Sequence, residues 1–114
     1  MRFVCSLILL ANCLSQWAIA QDPKLDFFES KIRPVLVERC YECHSSQTKP
    51  NELGGKLRLD SAPSIARGGS LGPALLAGNP NESLLIKAIE YNDSGFQMPP
   101  DGKLTNEQIA DFKQ

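Results

Sequence analysis

Glu38-Arg39-Cys40-Tyr41-Glu42-Cys43-His44 (ERCYECH) places two cysteines three apart and a histidine directly after the second. Three chemistries use closely spaced cysteines: a metal site, a disulfide or redox pair, and covalent haem attachment. The rest of the chain decides among them, beginning with how many cysteines and histidines the working protein keeps.

The first twenty residues read as an export signal. Arg2 gives a short positive start, and Phe3 to Leu14 is almost wholly apolar. Ala18-Ile19-Ala20 supplies the small-x-small ending of a cleavage site. The apolar run is too short to span a bilayer. Asn12 before Cys13 speaks against a lipoprotein route, which needs a small residue there. Cleavage after Ala20 removes Cys5, Cys13 and Trp17, leaving only Cys40, Cys43 and the single histidine, His44. It also removes Arg2, so 12 basic and 13 acidic residues become 11 against 13, a net charge of −2. The predicted organisation is therefore a signal peptide over residues 1–20 and one domain over 21–114, with its core in 26–114. No transmembrane segment is expected after cleavage, and the location is periplasmic or cell-envelope. With no basic stripe for phosphates to meet, nucleic acid is not an expected partner.

Zinc fits poorly. A structural zinc site takes four protein ligands, and two cysteines with one histidine leave the set short. A thioredoxin-like pair needs a βαβ context, whereas the residues before Cys40 repeat at helical spacing. A Cys40–Cys43 disulfide would close a very small loop and restrain the chain little. Cys-x-x-Cys-His is the attachment pattern of c-type haem. One helical turn carries both thiols to the porphyrin vinyl groups, and His44 then projects its imidazole at the iron.

The second axial position has one sulfur candidate. Met98 is the only methionine left after cleavage, and Pro99 and Pro100 behind it stiffen the backbone. A core-filling role for Met98, a lysine ligand such as Lys103, and an open position remain as alternatives. Gly72-Pro73 is a turn that could offer a backbone carbonyl to the free imidazole N–H, since ligating histidines are usually held in this way. A plain surface turn is the competing reading. Gly68 to Gly72 lacks the Gly-Lys-Ser/Thr of a phosphate loop.

The surrounding chain reads as short helices separated by long loops. Asp26 and Glu29 form a possible capping box before the stripe Phe28, Ile32, Val35, Leu36 and Cys40. Pro34 should kink or split that helix near Arg33. Lys56 to Asp60 alternates as a brief strand or extended segment would. Asp60 or Ser61 caps a short helix closed by Gly68-Gly69. Asn79 and Pro80 open another helix, with Leu84, Leu85, Ala88 and Ile89 as its buried face. Thr105 and Gln108 make a capping box for the last helix, with Leu104 and Ile109 as a hydrophobic staple. So much irregular chain in so small a domain calls for a disulfide, a metal or a cofactor core, and a bound apolar cofactor would supply the missing core.

The chain resembles the planctomycete-type cytochrome c domain, within the c-type cytochromes. The resemblance is carried by Phe27-Phe28-Glu29, Ile32-Arg33-Pro34-Val35-Leu36, the Cys40–His44 motif, Leu57-Arg58-Leu59-Asp60-Ser61, Gly78-Asn79-Pro80, Ser83-Leu84-Leu85-Ile86 and Gln97-Met98-Pro99-Pro100. It implies an all-α, small cytochrome c-like fold of short helices and long loops around one haem, with N- and C-terminal helices paired. It implies one haem c per chain, covalent on Cys40 and Cys43, with His44 and Met98 as axial iron ligands. Such domains usually lead longer exported proteins. Here the chain stops just inside its last helix, so that helix is expected to be truncated relative to the family. A truncated reading frame, a fragment lacking downstream domains, and a stand-alone form all remain open.

The leading expectation is an exported monohaem electron carrier, not an enzyme, exchanging single electrons with a redox partner protein of unspecified identity. The rivals are a haem-based sensor module of a larger exported protein, and a small extracellular binding domain carrying a Cys40–Cys43 disulfide.

Overall fold

The computed structural model of the chain describes residues 20–114. Apart from Ala20, the export signal therefore lies outside the described residues. Among the described residues the structure is helical and contains no strand, in keeping with an all-α domain. Among the described residues no helix is long and apolar enough to cross a membrane.

The first helical stretch has three parts: α1 (Pro23–Phe27), a wide π-helical turn (Phe28–Ile32) and α2 (Arg33–Arg39). It begins earlier than the sequence suggests. Asp22 is the cap, its carboxylate accepting from the Lys24 backbone N–H, and Pro23 takes the first helical position. Asp26 lies inside the helix, and Glu29 binds Arg33 one turn on through two hydrogen bonds of 2.6 and 2.8 Å. Pro34 does not break the stretch. It lacks an N–H and would crowd the carbonyl four residues back. The widened turn relieves this, with the Arg33 N–H reaching back to the Phe28 carbonyl.

The chain then runs irregularly to a 3₁₀ turn at Gly54–Lys56, and from Leu57 it is extended without forming a strand. The brief-strand reading of Lys56 to Asp60 thus resolves to extended chain. Helix α3 (Ala62–Arg67) has Ser61 as its cap and Gly68 at its end with φ 73°, a left-handed backbone that glycine takes freely. The expected Asn79 helix is split. Pro80–Glu82 form a 3₁₀ turn, and α4 (Leu84–Glu90) starts afresh after Ser83. Ser83 is almost fully buried because its hydroxyl joins the two pieces to the preceding loop, donating to the Asn79 carbonyl and accepting from the Leu76 N–H. Helix α5 (Asn106–Phe112) carries the full Thr105–Gln108 capping box.

One core holds these pieces. Val35 of α2, Ile86 and Ile89 of α4, Leu104 and Ile109 are buried together, with Leu85 and Phe112 packed against them. Leu104 and Ile109 sit where a hydrophobic staple places them. The π-helical turn and α5 are in contact, so the two ends of the domain pair. Each buried aliphatic side chain contributes about 1.5–3 kcal/mol. Five of them make a small core, and Leu84 and Ala88 of α4 lie outside it.

Candidate haem-binding site

Leu84, Leu85, Ala88 and Ile89 of α4 line a cavity of about 400 Å³. That volume lies within the roughly 300–1,000 Å³ typical of cofactor sites. Cys40, Cys43, His44 and Met98 line the same cavity, together with Leu57, Leu71 and Phe96. The structure thus gathers all four candidate site residues from two distant stretches of chain. Lys103 is exposed and does not line it. A larger cavity of about 560 Å³, among Phe27, Phe28, Ile32, Ile65 and Phe112, has neither sulfur nor imidazole and is not the candidate site.

The cysteine segment is one continued turn. The Cys40 and Tyr41 N–H groups both donate to the Leu36 carbonyl, and the Cys43 and His44 N–H groups to the Cys40 carbonyl. The sulfur-bearing residues therefore ride on the end of α2. Thr48 closes the turn: its hydroxyl donates to the Glu42 carbonyl at 3.0 Å and accepts from the Ser45 N–H at 3.1 Å. Both cysteines are free thiols. Burial pushes the Cys40 thiol up to about 11. No cluster of three or more histidine, cysteine or carboxylate groups that could hold a metal ion occurs among the described residues.

His44 is fixed on two sides. Its Nδ1 lies 3.1 Å from the Leu57 carbonyl oxygen. A carbonyl can only accept, so Nδ1 carries the proton and Nε2 keeps its lone pair. The partner is not the Gly72-Pro73 turn named from the sequence, because the Gly72 carbonyl accepts from the Gly69 N–H instead. Gly54 lies close against the ring: a Cβ there would fall 2.8 Å from His44 Cε1. The backbone completes the seat, Gly54 N–H donating to the Cys43 carbonyl and Leu59 N–H to the His44 carbonyl.

The donor set fits a covalent haem. Two thiols on one turn, an imidazole with Nε2 free and a thioether share an apolar cavity, and the cradle at Gly54 leaves room for the ring and nothing more. Gly54, Thr48 and the Leu57 carbonyl escape a reading of the sequence, since a glycine and a threonine in a polar loop carry no local signal and any residue supplies a carbonyl.

The model of a protein family described as planctomycete cytochrome C matches residues 40–102. Curated proteins and solved structures gave no match.

Proposed function

On the premise that this chain belongs to the planctomycete cytochrome C family, we propose that it is an exported monohaem electron carrier. Cys40 and Cys43 would hold one haem c by thioether bonds, and His44 and Met98 would be its axial ligands. The bound haem would supply an iron that alternates between two oxidation states. The chain's own residues do the rest. Leu57 fixes the His44 tautomer and raises the basicity of Nε2. Gly54 leaves the ring its space. Leu84, Leu85, Ala88 and Ile89 exclude water, and a low local dielectric strengthens the influence of nearby charges on the potential. With His44 and Met98 both holding the iron, one-electron transfer would need no exchange of these residues.

The observation that carries this reading is the His44–Leu57 hydrogen bond, because it leaves Nε2 free inside the cavity that Met98 also lines.

Expression with a haem-attachment system tests it by mass and spectrum. The protein should gain the mass of one haem, and its oxidised form should show a thioether-to-iron absorption band that Met98→Ala abolishes. Material at polypeptide mass would end the reading. Rapid carbon monoxide binding to the reduced wild type would transfer it to the sensor alternative.

A further inference from the structure

Met98 lines the cavity and is 37 % exposed. Its backbone is tied at one point, the Met98 N–H donating to the Ala88 carbonyl at 3.1 Å. The loop beyond it, residues 99–102, has no regular structure before α5. Two side chains from other elements hold that loop. The Tyr91 hydroxyl donates to the Pro99 carbonyl. The Arg39 guanidinium donates to the Gly102 carbonyl at 2.9 Å and to the Asp101 carboxylate at 3.2 Å. We propose that Tyr91 and Arg39 are positioning residues that clamp the 98–102 loop and thereby hold the Met98 thioether at the cavity.

Two further features favour this assignment. Tyr91 ends α4 with φ 62° and ψ 24°, a left-handed backbone that aromatic residues seldom adopt and that glycine or asparagine commonly fills at helix ends. A strained tyrosine persists where its side chain is held by its surroundings, and here its hydroxyl grips the loop. Arg39 is the last residue of α2 and precedes Cys40. Its bonds link the segment that carries the thiols and imidazole to the segment that carries the thioether. The Asp101 carboxylate is largely exposed and its ion pair is screened. The more sheltered bond to the Gly102 carbonyl is the one that matters, and a lysine could keep the charge but not the two-acceptor reach.

The inference rests on Met98 being an axial ligand, and the test separates the two. In the haem-loaded full chain, imidazole binds oxidised iron only when Met98 lets go, so its apparent affinity reports the released fraction. Tyr91→Phe and Arg39→Gln should each tighten imidazole binding by about tenfold, and Arg39→Lys by less. The thioether-to-iron band should weaken in parallel. Affinities within about twofold of wild type in both Tyr91→Phe and Arg39→Gln, with the band intact, would overturn the clamp and leave the ligand assignment standing. A wild type without the band, binding imidazole as tightly as Met98→Ala, would overturn both. Should Arg39→Gln fail to fold, Tyr91→Phe decides alone, since it removes one oxygen and leaves the ring.

Discussion

At His44 the neighbours do the work of selection. Its neutral imidazole could carry the proton on either nitrogen, and Leu57 decides which. Gly54 gives the ring its space by lying too close for any side chain. Its backbone is not left-handed, so the demand for glycine there is steric. Gly54→Ala should cost about 1–3 kcal/mol through overpacking. It would lower the melting temperature of the haem-loaded protein, and loss of the Nδ1 proton resonance from its bonded position would locate the damage at His44. Cys40 belongs to this scale too. With burial raising its thiol to about 11, folded haem-free protein should alkylate slowly at Cys40 near neutral pH and faster as pH approaches that value. Mass mapping of iodoacetamide adducts against pH checks it. The thiolate is the reactive form, so a thioether at Cys40, if the proposed haem attachment holds, would form more readily before the fold closes over it.

Among the elements, α2 and α5 show how little helix the domain needs. Each has seven residues, too short to persist alone. Helix α5 is held by its cap and by the face that Ile109 and Phe112 present to the core. Thr105→Ala should cost about 1 kcal/mol by leaving helix-start N–H groups without a partner, measured as a lowered urea midpoint with unchanged slope. This cap was legible in the sequence because its parts lie three residues apart. The start of α1 was less so: Asp22 and Asp26 are both able caps, and Pro23 at the first helical position favours the earlier one. The response to Pro34 was half legible. A proline inside an apolar stripe announces a distortion, but whether the helix kinks or widens depends on what packs beside it, and here α5 lies against the widened turn.

For the molecule as a whole, the small aliphatic core makes each member costly to lose. Ile86 is 1 % exposed, and Ile86→Ala should cost about 2–5 kcal/mol, enough to lower the melting temperature of the haem-loaded form markedly. Acid stability has a specific contributor. The hydroxyl and the backbone N–H of Ser46, the latter at 2.7 Å, hold the Asp60 carboxyl below its ordinary value of 3.8. A lowered folded-state value means that Asp60 stabilises the fold above 3.8 and loses that effect as pH falls through its folded value. Asp60→Asn should therefore flatten the loss of stability below pH 3.8, as read by urea unfolding at a series of pH values.

What the sequence determined by itself is what short range can encode. The Cys40–His44 motif specifies its chemistry because five consecutive residues carry two thiols and an imidazole on one turn. The α3 and α5 caps and the Leu104–Ile109 staple are equally local. The tertiary structure alone decided which carbonyl meets His44, which glycine lies against it, which cavity receives Met98, and that Tyr91 and Arg39 reach the loop beyond it. These depend on where irregular segments return in space, and the path of a loop is set by the sum of many weak contacts and not by any spacing along the chain.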